Sequence, residues 1–320
     1  MKVVGEDRLR ELVGEVQALA AVENAFRALA EARVVQPPPL GMDLDEFQGE
    51  VHVKGAFLRG EPVFAMKVAS GFYRNAQRGL PTGSGLVLVF DAETGFPLAL
   101  LQDNGFLTEL RTGAAGALAV RLLAPDGPIK VAVLGAGSQA RYQLRAIRRV
   151  RELQELRVWS PDPDEVGVYV AEMSPELGIP VSGGSSVEEV VRGVDLIVTV
   201  TPARSPILNM EWLPEGVTVV AVGSDGPEKQ ELDPEILGVA EKVIVDSKAQ
   251  CLRLGETHHA VDKGIVAEEE IHGELGQVLQ GTRAGREGAE IIVCDLTGVG
   301  AQDAAMAGEV WKLLENESQR

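Results

Sequence analysis

The stretch KVAVLGAGSQA, from Lys130 to Ala140, limits what this 320-residue chain can fold into more than any other part of it. Four apolar residues run into Gly135, Ala136 and Gly137, and the polar pair Ser138 and Gln139 follows before Ala140. A buried strand, a Gly-x-Gly-x-x-Ala bend and a helix are the parts of a dinucleotide-binding turn. Gly135 permits the tight turn, Gly137 lets a pyrophosphate approach the backbone, and Ala140 lets the helix pack against the strand. The N–H groups at the helix start then face the phosphates.

From Lys130 onward, strands and helices alternate. Strands are expected at Lys130–Leu134, Leu156–Ser160, Leu196–Thr201, Val217–Val222, Val243–Asp246 and Ile291–Asp295. Helices fall between most of them, including Gln139–Val150 and Val187–Gly193. That order predicts an α/β fold with a Rossmann-type, doubly wound parallel sheet. The earlier chain reads differently. Glu6–Arg33 has the pattern of amphipathic helices. VVQPPPLGM (Val34–Met42) is a breaker, because three consecutive prolines cannot sit inside a helix or a central strand. Glu50–Leu101 reads as a meandering, largely antiparallel sheet. Thr108–Pro125 is a helical connector and Gly300–Glu317 a final helix. The expected organisation is an α+β domain over residues 1–112 plus 300–320, and a dinucleotide-binding domain over 113–299.

A net charge of −18 repels phosphates, which argues against nucleic acid and an anionic membrane surface as partners. An anionic substrate would need local Lys and Arg. No apolar run approaches the roughly 20 residues that span a bilayer, and the charged N-terminus lacks the apolar core of a signal peptide. Cys251 and Cys294 form no disulfide framework and lack zinc spacing, which fits a reducing cytoplasm. No metal site is expected.

Three stretches can carry chemistry. Lys67 lies in FAMKVASGF, either on an exposed strand face or held in a cleft. Arg111, in LTELRTGAAG, is either a helix-surface residue or a fork that clamps a substrate carboxylate. Asp225, in AVGSDGPEKQEL, follows a strand of the nucleotide domain and should sit at its carboxyl end, where ligands bind. It is either a turn aspartate or a group that exchanges a proton with a substrate nitrogen. His258 and His259 read as loop residues rather than metal ligands, His52 alternates in a strand, and His272 reads as surface. An acidic residue at the end of the second strand would favour NAD through the ribose 2′-OH. Ser160 stands there instead, with Asp162 and Asp164 following and no Lys or Arg to hold a 2′-phosphate. That places NAD(H) ahead of NADP(H).

Taken together, MKVASGF, LPTGSGL, ELRTGAAGA, GAGSQA, VGSDGPEKQEL and CDLTGVGAQD resemble the ornithine cyclodeaminase/mu-crystallin family, in family order from about Val63 to Ala307. The resemblance implies NAD(P)-dependent oxidoreductase chemistry at CH–NH2 or C=N groups. It also implies a small amino or imino acid substrate and a homodimer formed through the first domain. It makes Lys67 a catalytic and substrate-binding lysine, Arg111 the carboxylate-binding arginine, Asp225 the acid/base group, Lys229 a recurrent lysine and Thr82 a site-lining residue. Gly135, Ala136, Gly137, Ser138, Gln139, Ser160, Thr199, Val222, Thr297 and Gly298 fall on the cofactor side, with Asp295 in the strand end near the nicotinamide.

Pro39 stands about where many members carry a second carboxylate-gripping arginine, and Lys54 is the candidate to replace its charge. This departure, with QPPPLGM, VKGAFLRG and GFYRN, points to the imino-acid reductase branch, iminosuccinate- or alanine-type. A dicarboxylate imine would want a further cation, for which Lys54, Arg59 and Arg74 are candidates. The alternative is a cyclodeaminase-type lyase that keeps NAD+ bound and releases ammonia. A non-enzymatic nucleotide-binding protein is the third reading, and the joint presence of Lys67, Arg111 and Asp225 argues against it.

Overall fold

The computed structural model describes residues 1–318. The chain divides into two compact units, Met1–Arg111 with the chain from Val299 onward, and Thr112–Gly298. Residues 319 and 320, part of the expected first domain, lie outside the described residues.

The first unit begins with β1 (Lys2–Gly5), α1 (Glu6–Leu12) and α2 (Glu15–Ala30). Strands β2 (Val34–Val35), β3 (Leu40–Leu44), β4 (Gly49–Leu58), β5 (Val63–Phe72), β6 (Gly83–Asp91) and β7 (Pro97–Gln102) follow. Pro37, Pro38 and Pro39 fall between β2 and β3, in chain that belongs to no element. The sheet runs β1-β7-β6-β5-β4-β2, with β3 also on β4. Neighbours from β3 to β7 are antiparallel, as the meander predicts, and β1 joins β7 in parallel. Period-2 alternation buries Val63 and Ala65 of β5, Val87 and Val89 of β6, and Ala99 and Leu101 of β7 on one face. The C-terminal helix Gly300–Ser318 packs on β4, β5 and α2. Gly300 lets it start there, since a Cβ at that position would stand 2.7 Å from the Gly55 carbonyl oxygen.

Helix α3 (Phe106–Leu123) starts in this unit and ends in the second. The second unit holds β8 (Ile129–Leu134), α4 (Ser138–Ile147), β9 (Leu153–Trp159), α5 (Pro163–Leu177), β10 (Val181–Gly183) and α6 (Val187–Val191). It continues through β11 (Leu196–Thr199), β12 (Arg204–Leu208), β13 (Thr218–Ala221), β14 (Gln230–Leu232), α7 (Glu235–Val239), β15 (Lys242–Val245), α8 (Lys248–Cys251) and α9 (Gly255–Asp262). It closes with β16 (Gly273–Glu274), α10 (Leu275–Leu279) and β17 (Ile292–Asp295). The main sheet is wholly parallel in the order β10-β9-β8-β11-β13-β17-β15-β16, while β12 and β14 pair separately. Its central strands are apolar on both faces, as expected where helices cover both sides. The order reverses at β8, so a crevice opens beyond the carboxyl ends of β8 and β11.

Candidate active site

The glycine bend sits at that reversal. Gly135 has φ +116°, and its N–H donates to the Trp159 carbonyl at 2.7 Å. A Cβ there would stand 3.0 Å from the Val200 carbonyl oxygen, so both conformation and space demand glycine. Gly137 is different. It is the N-cap of α4 with an ordinary φ of −77°, and a Cβ would meet no protein atom within 4 Å. Nothing in the fold requires glycine at 137, and its lack of a side chain leaves the backbone of the bend open to close approach. No side chain caps α4, and Ala140 is fully buried. Gln139 accepts from Gln143 at 3.1 Å, while Ser138 is exposed at the helix start. These residues fit a pyrophosphate.

Gly137→Ala is therefore expected to shift stability by less than about 0.5 kcal/mol while weakening dinucleotide binding about tenfold or more. Gly135→Ala is expected to cost about 1–3 kcal/mol in backbone strain. Thermal melts and a fluorescence titration with NADH check both.

At the end of β9, Ser160 is buried and donates to Glu165 Oε2 at 3.0 Å. Asp162 is the N-cap of α5 and accepts from the Asp164 N–H at 2.9 Å. The acidic group brought to Ser160 thus comes from the first turn of a helix. Glu165 was not singled out in the sequence, because motif spacing looks for it on the strand.

The first unit gathers the cations. Alternation along β5 puts Lys67 on the buried face with Val63 and Ala65. Lys54 of β4 is its cross-strand partner. Like charges facing each other across a ladder repel, and the C-terminal helix supplies the counter-charge. Asp303 lies 3.0 Å from Lys67 Nζ and 3.0 Å from Arg111 Nε. Arg111 Nη1 donates to Gln302 Oε1 at 2.9 Å. All five side chains are buried.

Burial lowers the Lys67 ammonium to about 8, with Arg111 and Lys54 adding to the effect and Asp303 opposing it. Burial alone would raise the Asp303 carboxyl, but Lys67, Arg111 and Lys54 hold it below its ordinary range. Burial pushes Asp103, whose Oδ2 accepts from the Leu107 N–H, upward. Three cations therefore act on the Asp303 carboxylate. Gln302 Nε2, oriented by the Arg111 bond to its oxygen, is a buried donor without a partner among the described residues. A cluster that gathers three cations and a buried amide donor suits a carboxylate ligand.

Sequence reading singled out Lys54, Lys67 and Arg111 but missed Gln302 and Asp303. Their signal was an amide and an acid among small residues in GAQDAAMAG. Arg59 and Arg74 are exposed, with Arg74 Nη1 donating to the Glu46 carbonyl, so of those three spare cations the cluster takes in only Lys54. Thr82 is exposed ahead of β6, where its carbonyl accepts from Phe72 N–H, and no described contact joins its side chain to the cluster.

In the second unit, β13 leads through Val222 into the loop that carries Asp225. Lys229 Nζ donates to Asp225 Oδ1 at 2.7 Å; Lys229 is buried, and the Asp225 side chain is 38 % exposed. Ser224 Oγ donates to the Lys229 carbonyl at 2.6 Å. Behind the loop, Glu231 accepts from Thr199 Oγ1, from Thr201 N–H and Oγ1, and from the Gly223 N–H, all within 2.9 Å. Burial raises the Glu231 carboxyl, and these bonds oppose it. The Thr199 hydroxyl thus faces Glu231, while its carbonyl accepts from Val222 N–H. Thr297 Oγ1 and Gly298 N–H donate to Asp246 at 3.0 and 2.7 Å. Asp295 is buried at the end of β17, where burial raises its carboxyl to about 7. It accepts from the N–H groups of Glu256 and Thr257 and from Thr257 Oγ1.

His258 and His259, expected in a loop, lie in helix α9. GETHHAVD is too polar to advertise a helix that is buried for most of its length.

Residues 4–318 match the ornithine cyclodeaminase/mu-crystallin family. The Δ1-pyrroline-2-carboxylate reductase of Thermococcus litoralis, solved with NADH and L-proline, superposes with a TM-score of 0.94 at 30 % identity, over 99 % of this chain and 98 % of that one. An archaeal alanine dehydrogenase dimer with bound NAD gives 0.92 at 34 % identity, over 99 % and 97 %. The iminosuccinate reductase of Paracoccus denitrificans, in complex with NAD+, gives 0.90 at 32 % identity, over 99 % and 97 %.

Proposed function

Because the chain belongs to the ornithine cyclodeaminase/mu-crystallin family, we propose that it reduces a small α-imino acid to the L-amino acid with a nicotinamide cofactor. The observation that carries this reading is the buried cluster of Lys54, Lys67 and Arg111 around Asp303, with Gln302 Nε2, a donor without a partner among the described residues, beside it. Arg111 and Lys67 bind the substrate carboxylate in a two-point grip that fixes which face of the imine is presented. Lys54, the cross-strand neighbour of Lys67, adds charge for a second acidic group. The bend at 135–140 holds the pyrophosphate. The Glu165 carboxylate beside Ser160 favours a ribose diol over a 2′-phosphate, which puts NADH ahead of NADPH. When bound, the reduced nicotinamide supplies hydride to the imine carbon. Asp225, paired with Lys229, holds the proton that the substrate nitrogen exchanges.

A homodimer through the first unit's sheet is part of the reading. The face of that sheet opposite the core carries Phe64, Met66, Leu88, Phe90, Leu98 and Leu100, half-buried and apolar, with Phe64 and Phe90 stacked at 4.9 Å. The solved archaeal alanine dehydrogenase is itself a dimer. No described helix is long and apolar enough to cross a membrane. The two buried free cysteines fit a cytoplasmic location.

Absorbance of the reduced nicotinamide, followed with a panel of imino acids, tests the reaction. The panel is Δ1-pyrroline-2-carboxylate, and pyruvate or oxaloacetate each with ammonia. Loss of NADH matched one-for-one by amino acid is the expected result. Ammonia release from ornithine with no net change in NADH would replace the reductase by the lyase.

A further inference from the structure

We infer that His258, backed by His259, is the positioning residue for the Asp225 loop. This rests on the reading of Asp225 as the group at the substrate nitrogen. Helix α9 is fixed at its start by a strand end. Gly255 has φ +78°, and a Cβ there would stand 2.7 Å from both Asp295 carboxylate oxygens. Asp295 then holds the first turn of α9 through Glu256 and Thr257. From the same helix, Glu256 accepts from the N–H groups of Glu231 and Leu232 at 2.8 and 3.0 Å, which anchors the chain just after the loop.

The two imidazoles reach the loop itself. His258 Nε2 lies 3.0 Å from the Pro227 carbonyl oxygen, and Nδ1 lies 2.8 Å from the Gly255 carbonyl oxygen. His259 Nε2 lies 2.8 Å from the Lys229 carbonyl oxygen, and the two ring centroids lie 3.8 Å apart with the planes tilted by 38°. Carbonyl oxygens only accept, so a ring nitrogen bonds one only when it carries the hydrogen. A neutral imidazole carries one hydrogen, and with it on Nε2 the His258 bond runs to the loop at Pro227. The loop is thus gripped at Gly223 by Glu231, at Pro227 by His258 and at Lys229 by His259, with Asp225 between the first two grips. The third grip falls on the residue whose ammonium holds Asp225. A histidine that only filled space would need neither nitrogen aimed at this loop.

His258→Phe keeps an aromatic ring and removes the Nε2 donor. Hydrogen–deuterium exchange of residues 223–229 is expected to rise in this variant, with the glycine bend unchanged. NADH affinity should stay within about threefold of wild type, while kcat falls about ten- to a hundredfold, the scale of a 1 Å misplacement. His258→Asn, which keeps one amide donor, should recover part of both effects. If His258→Phe does not fold, His259→Phe removes the neighbouring grip and should raise exchange over the same segment. Unchanged exchange at 223–229 in folded variants overturns the inference. So does a loss of NADH affinity as large as the loss in kcat.

Asp225→Asn separates the two claims. An unaffected kcat in that variant removes Asp225 from the chemistry, while raised loop exchange in His258→Phe still establishes the grip.

Discussion

Arg111→Ala is expected to lower kcat/KM for the imino acid by about two to three orders of magnitude, the scale for truncating one partner of a buried, hydrogen-bonded charge pair. The dinucleotide Kd should not move. Arg111 bridges Asp303 and Gln302 inside the cluster, so its loss removes a cation and releases the orientation of the Gln302 amide together. Steady-state kinetics and an NADH titration on the same preparation check it, and unchanged kinetics would remove Arg111 from the substrate site.

Lys67 adds a pH signature. Its ammonium titrates near 8, so it is charged below that pH and neutral above it. A carboxylate substrate is then held progressively less well as the pH climbs through about 8, and kcat/KM should show an alkaline limb there. Lys67→Arg should move that limb upward, because a guanidinium stays charged. A limb that stays in place in the arginine variant would assign it to another group.

Asp303→Asn should produce the largest loss of stability, about 3–5 kcal/mol, the scale for breaking a buried ion pair by removing one partner. Lys67, Arg111 and Lys54 would remain buried without the carboxylate they share. The sign against pH follows from the direction of the shift. Asp303 titrates lower in the folded chain than in the unfolded one, so its contribution is present above the unfolded value and is lost as pH falls through the folded one. The variant should therefore lose part of the wild type's acid-side decline in stability. Removing Asp303 also removes the upward pull on Lys67, so the alkaline limb of kcat/KM should shift toward neutral pH. Urea melts at several pH values and a pH–rate profile read these effects. An unchanged melt together with an unchanged limb would show that the three cations do not depend on this carboxylate.

The nucleotide-binding architecture was legible because its signals are local. Lys130–Leu134, the glycine bend and the small Ala140 need only their neighbours to be read. The short strands β10, β12, β14 and β16 were not legible, since two to five residues give too little periodicity. In β14 the pattern even misleads. Gln230 and Glu231 are polar yet buried, because Glu231 meets donors from Thr199, Thr201 and Gly223. The cation cluster stood between these cases. The chemistry of Lys67 and Arg111 marked them as candidates, but whether they pointed inward depended on Asp303, which lies 236 residues from Lys67 in the chain. Asp303 itself looked like one acid on a final helix, and only the fold makes it the hub.

The carboxylates of Glu231, Asp246, Glu256 and Asp295 occupy donors at the strand ends that water or ligand would otherwise meet. Hydrogen bonds thus tie down Thr199, Gly223, Glu231 and Gly298 in the folded chain. A molecule that bound against these segments would order little that is not already ordered, so the entropic penalty of its capture would fall mainly on the molecule itself.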